Sequence, residues 1–130
     1  MSLAESKQYQ KTVEELKEKI KSELGDSIDS LVLYGSAARG EYKGVDSDID
    51  ILIIAKDETS STYNKIRKIA TEIDLKNSTA TTLVYLSRKE FKRNARLSSP
   101  FLEEVAKEGI VLYDNGIFER FRESLVKVSR

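Results

Sequence analysis

Tyr9, Val13, Leu16, Ile20 and Leu24 recur at spacings of four, three, four and four, which lays one apolar stripe along a helix that Gly25 is placed to stop. The period then changes. Ser30 to Tyr34 (Ser-Leu-Val-Leu-Tyr) reads as a short buried strand ending at Gly35, and Ser36-Ala37-Ala38-Arg39 as a short helix with Ser36 as its N-cap. A polar connection, Glu41 to Ser47, leads into a second strand from Asp48 to Ala55, apolar after its first three residues. Ser60 or Ser61 is expected to cap a helix carrying Ile66, Ile69, Ala70 and Ile73, followed by a third strand from Thr82 to Leu86. Ser87-Arg88-Lys89-Glu90 has the form of a capping box and launches a further helix with Phe91. Pro100 opens a helix through Phe101, Leu102, Val105 and Ala106 that Gly109 stops. Ile110 to Tyr113 is a last strand, and Ile117, Phe118, Phe121, Leu125 and Val128 make a final amphipathic helix.

Chain direction adds a constraint. The first strand ends at Gly35-Ser36 and the second begins at Asp48, so the two meet only as antiparallel neighbours. The pattern therefore predicts an α+β fold: a small mixed sheet with an antiparallel central pair, flanked by helices. At 130 residues it is expected to form one domain, residues 1–130, with its core between about 28 and 113.

Composition narrows the chemistry. Lysine plus arginine balance aspartate plus glutamate at 22 each, so no global basic field points to nucleic acid as a direct partner. With neither cysteine nor histidine in the sequence, thiol nucleophiles, imidazole bases, disulfides and zinc sites are excluded. Charged residues make up 34% of the chain, a share compatible with a heat-adapted source. No signal-like start or membrane-length apolar run is present, so the expectation is a cytoplasmic protein, and Asn77-Ser78-Thr79 reads as a turn rather than a glycosylation acceptor.

The candidate chemistry lies where the two strands meet. Residues two apart on a strand point to one face, so Asp48 and Asp50 stand side by side at the mouth of an apolar strand. Adjacent carboxylates repel unless a cation sits between them, and hard oxygen ligands suit Mg²⁺ or Mn²⁺ with substrate phosphates completing the shell. Gly35 permits a sharp turn and close approach of a phosphate, and Ser36 adds amide donors and a hydroxyl at a helix start. Gly35 and Gly40 have the spacing of another kind of phosphate loop, but Glu41 stands where that loop needs a lysine. Arg39 either reaches phosphate oxygens or pairs with Asp46 or Asp48, and Lys43 reads first as a solvated loop charge, with phosphate contact as the other option. Arg88, Lys89, Lys92, Arg93 and Arg96 form a basic cluster, read first as a solvated helix face, with a nucleic-acid or acidic-partner contact as the other option.

Leu33-Tyr34-Gly35-Ser36-Ala37-Ala38-Arg39-Gly40, followed by Ser47-Asp48-Ile49-Asp50-Ile51-Leu52, resembles the signature of the DNA polymerase β-like nucleotidyltransferase superfamily, and its minimal nucleotidyltransferase (MNT) branch in particular. The likeness runs from about Ile28 to Tyr113. It implies Mg²⁺ (or Mn²⁺) on Asp48 and Asp50 as catalytic ligands, and an NTP, ATP first among them, on Gly35 and Ser36, with Arg39 as a further nucleotide-binding candidate beside them. It also implies transfer of a nucleoside monophosphate to a protein or small-molecule hydroxyl, and membership of a toxin–antitoxin pair with a small helical HEPN protein as partner. Active relatives usually carry a third carboxylate on the next strand, at a place matching Thr81 or Thr82, where this chain has no acid. Asp74 and Glu90 lie on the flanking helices and do not replace it. The other reading is thus a degenerate nucleotidyltransferase that binds nucleotide, or its HEPN partner, without turnover.

Overall fold

The computed structural model describes residues 3–41 and 48–128, with side chains from 8 to 126. Two hydrophobic layers sandwich a four-stranded sheet. Helix α1 (Leu3–Leu24) leads through a short 3₁₀ turn into β1 (Ile28–Tyr34), then α2 (Gly35–Ala38), β2 (Ile49–Ala55) and α3 (Ser60–Asn77). There follow β3 (Thr81–Ser87), α4 (Arg88–Arg96), α5 (Pro100–Glu108), β4 (Ile110–Asp114) and α6 (Ile117–Val128).

The sheet order is β3-β2-β1-β4. β1 pairs antiparallel with β2 and with β4, while β2 and β3 run parallel. A parallel pair needs a crossover, and α3 supplies it. The mixed sheet and its antiparallel central pair are those expected from the apolar pattern. Strand β1 begins at Ile28, two residues earlier than the pattern suggested, because Ile28 and Asp29 are both buried.

Both faces of the central strands are covered, which explains why β2 reads as an unbroken apolar run rather than an alternation. Ile49, Ile51, Ile53 and Ala55 pack with Leu31 and Leu33 against α1 and α3, through Leu16, Ile20, Ile66, Ile69 and Ile73. Leu52, Ile54 and Val32 point the other way, onto Phe91, Leu102, Val105 and Phe118 of α4, α5 and α6. Each fully buried Ile or Leu stabilises the fold by roughly 1.5–3 kcal/mol.

Local chemistry settles the element ends. Ser87 and Glu90 form the expected capping box, with Glu90 N–H on Ser87 Oγ at 3.0 Å and Ser87 N–H on Glu90 Oε1 at 2.9 Å. The N-cap of α3 is Thr59, not Ser60 or Ser61. Asn77 is the buried last residue of α3 and donates to Thr12 Oγ1 (3.0 Å) and Glu15 Oε1 (2.9 Å), while Ser78 turns left-handed to end the helix. Among the described residues, no helix is long and apolar enough to cross a membrane.

Candidate functional site

The register of β1 and β2 builds the site. Tyr34, the last residue of β1, faces Asp50 on β2, so the turn that follows Tyr34 lies against the carboxylate. Gly35 has φ +72°, a left-handed conformation, and a Cβ there would collide with Asp50 Oδ2. Glycine is needed twice over: for the backbone angle and for the space. Ser36 is not the N-cap. The single turn of α2 starts at Gly35, Tyr34 occupies the N-cap position and makes no side-chain capping bond. The first amides of a helix have no intrahelical acceptor, so this turn presents the N–H groups of Gly35, Ser36 and Ala37 as donors. Tyr9 does more than pack: its hydroxyl donates to the Ala37 carbonyl at 3.3 Å and ties α1 to the turn.

Asp48 is exposed and precedes the first residue of β2, while Asp50 is partly buried. Burial, then the neighbouring Asp48 charge, raises the Asp50 pKa above the ordinary carboxylate value, and Arg39 acts in the opposite direction. The Tyr34 phenol is pushed up to about 12, by burial first and by Asp50 second.

Thr82 lies beside Asp50 in the parallel β2–β3 ladder, and its hydroxyl donates to Asp48 Oδ2 at 2.9 Å. Of the two threonines, Thr82 therefore faces the aspartates. Thr81 turns to Asp74, which accepts from Thr81 N–H (2.9 Å) and Oγ1 (2.8 Å) and from Thr79 Oγ1 (2.8 Å). Asp74 is thereby committed to the entry of β3, and Glu90 to the capping box beyond the far end of that strand. Among the described residues, no group of three or more acidic side chains is placed to hold a metal ion.

Of the acid partners expected for Arg39, Asp48 is not one it takes: among the described residues, its Nε donates to Glu41, the first residue of the connection to β2, at 2.6 Å and its Nη1 to Glu108 at 2.9 Å. These two bonds raise its pKa further. Asp46 and Lys43 lie outside the described residues. The partner that sequence patterning missed is α5, whose apolar positions accounted for only its buried face. Phe101 packs edge-on to Tyr34 (ring centroids 5.3 Å apart, 86° between planes), and Phe101, Glu104 and Glu108 line a groove with Tyr34, Gly35 and Arg39. The spacing of Phe101, Glu104 and Glu108 along one side of a helix was the available signal.

A family model described as a nucleotidyltransferase domain matches residues 13–113, and the chain belongs to that family. Two Methanocaldococcus jannaschii proteins bearing the name protein adenylyltransferase are similar to it. One is 34% identical over 99 residues, 75% of this chain and 92% of that protein. The other is 31% identical, covering 80% and 97%. The fold is shared with a chain from a crystal structure of a toxin–antitoxin with AMP-PNP, at TM-score 0.56, 23% identity and coverage of 87% and 86%. It is also shared with a chain from a tri-AMPylated Shewanella oneidensis HEPN toxin in complex with MNT antitoxin, at TM-score 0.51, 20% identity and coverage of 90% and 86%.

Proposed function

We propose that this protein is a metal-dependent nucleotidyltransferase that moves the AMP part of ATP onto a hydroxyl of a protein, with a small helical HEPN protein as partner and acceptor. The observation that carries the reading is the approach of the Gly35 turn to Asp50, so close that no side chain fits at Gly35. A phosphate bound on the turn then lies next to two carboxylates. The names of the two archaeal relatives support AMP and a protein acceptor; the described HEPN–MNT complex supports the partner.

The carboxylate pair fits Mg²⁺ or Mn²⁺: two hard oxygen donors, one raised in pKa by burial and then by its neighbour, gain from a cation between them. Such an ion would neutralise phosphate charge and stabilise the leaving pyrophosphate oxygen. The chain's own residues do the rest. The amides of Gly35, Ser36 and Ala37 hold phosphate oxygens at the positive end of α2. Arg39 spends two of its five N–H donors on glutamates, so its Nη2 remains for a phosphate. The acceptor oxygen attacks the α-phosphorus as the bond to the β-phosphate oxygen breaks, the acceptor proton leaves with solvent, and pyrophosphate departs.

Thr82 favours the second reading, a module that binds nucleotide without turnover, because a hydroxyl donating to Asp48 is not a metal-binding acid. The test is incubation with α-³²P-labelled ATP, Mg²⁺ and the helical partner. Label on the partner, lost in Asp48→Asn with Asp50→Asn, is the expected result. ATP binding with no transfer to any acceptor would leave only the binding module. Thr82→Asp separates the two further, since a third ligand raises transfer if that position limits it.

A further inference from the structure

A second concentration of charge lies at the opposite end of β1, roughly 17 Å along the strand from Tyr34. Asp29 is completely buried there. Arg88 grips it through Nε (2.8 Å to Oδ2) and Nη2 (2.9 Å to Oδ1), and Asn115 Nδ2 donates to Oδ1 at 2.7 Å. This network floors a cavity of about 300 Å³ that Lys92, Ile117 and Arg120 complete. One carboxylate thus faces three cations, and Arg88 alone compensates it. Neither Lys92 nor Arg120 has an ion pair among the described residues.

Lys92 and Arg120 are exposed at the mouth of the cavity, open to an anion from solvent, and their repulsion is small in water. Lys92 lies four residues after Arg88 on α4, a spacing at which like charges repel. Arg120 folds back over Gly116, where φ is +115° and a Cβ would stand 2.6 Å from Nη1; any side chain at that position would displace the guanidinium. Arg88 keeps Nη1 free of Asp29. Lys56 adds to the positive field around Asp29.

We propose that this cavity is an anion site for a phosphate group, held by Arg88, Lys92 and Arg120. A phosphomonoester carries about −1.5 to −2 charges near neutral pH, matching the two uncompensated cations. Guanidinium groups bind its oxygens in forked geometry. The phosphate belongs either to a small phosphorylated molecule or to a nucleic-acid strand, whose further phosphates would meet Arg96 one turn along α4.

The test follows backbone and Asn side-chain amide resonances by NMR at fixed ionic strength, with EDTA present. Pyrophosphate is titrated first, then a short oligonucleotide with and without a 5′-phosphate. Pyrophosphate is expected to shift Asn115 and Gly116, and Lys92→Gln with Arg120→Gln to weaken that binding at least tenfold without disturbing the rest of the spectrum. Shifts from both oligonucleotides support the site and identify a strand as the source of phosphate; shifts from pyrophosphate and the 5′-phosphorylated form only support it and identify a terminal or small-molecule phosphate. Shifts confined to Gly35 and Ser36, no shifts, or unchanged affinity in the double variant would overturn the proposal.

Discussion

Asp29 and Asp50 stand at opposite ends of one antiparallel strand pair, and the fold treats them in opposite ways. Asp29 is fully buried, yet Arg88 and Asn115 hold its pKa below the ordinary value, the hydrogen bond from Arg88 being the largest cause. Asp50 is less buried, and its pKa is raised by desolvation and by Asp48. The difference is one of partners, not depth. A buried carboxylate with a bidentate arginine has its charge compensated within the fold, whereas a half-buried carboxylate beside another carboxylate does not.

The largest expected effect tests the Asp50 end. Asp48→Asn with Asp50→Asn should lower nucleotidyl transfer by about 10³-fold or more, taking several kcal/mol of transition-state stabilisation at 1.36 kcal/mol per decade. The folded state should be as stable as before or more so, because the repulsion is removed. Equal ATP–Mg²⁺ affinity in calorimetry would refute the assignment of these aspartates.

At the other end, the effect should appear in stability rather than chemistry. Arg88→Met leaves Asp29 buried without its cation, and the melting temperature should fall on the order of 10 °C. A variant as stable as wild type would mean that Asn115 alone satisfies Asp29, and the contrast between the two ends would collapse.

Gly35→Ala sharpens the comparison at the turn. It combines left-handed backbone strain with a clash against Asp50, for a loss of about 2–3 kcal/mol. Gly40 also has positive φ (+76°), but its added Cβ would meet nothing within 4 Å, so Gly40→Ala should cost only about 1 kcal/mol. Denaturant midpoints of the two variants isolate the contact. If they are equal, Asp50 does not press on the turn.

The smallest effect is in pH dependence, and its sign differs between the ends. Asp29 has a lowered folded-state pKa, so its contribution to stability is present above the unfolded value of about 3.9 and fades as pH falls through the folded one. Asp29→Asn should therefore be less stable than wild type near neutrality, with the gap closing in acid. Asp50 has a raised folded-state pKa, so its ionised form weakens the fold at neutral pH and protonation relieves this. Asp50→Asn should be the more stable protein near neutrality, and its advantage should shrink as pH drops through the folded pKa towards about 4. Curves of the same sign would show that the two carboxylates share one environment.

The sequence by itself determined the elements, the antiparallel pairing and that the Gly35-Ser36 turn and the Asp48/Asp50 pair meet at one edge of the sheet. Periodicity of apolar positions is a local property, and the chain-direction argument required only that the Gly35 turn meet Asp48 and Asp50. The Gly-Ser and Asp-x-Asp spacings likewise sufficed to identify the family. Tertiary structure decided everything that depends on residues far apart in the chain. Arg39 found Glu108 on α5 in addition to Glu41 beside it in the chain; Tyr9 of the first helix was recruited to Ala37; Thr82, not Thr81, turned to the aspartates once β3 lay parallel to β2. In the sequence Arg88 reads as one cation of a solvated basic helix face, and nothing there connects it with Asp29. Only the packing of α4 against the end of β1 makes them a buried pair, because a charge's partner is set by distance in space, for which spacing along the chain is no guide.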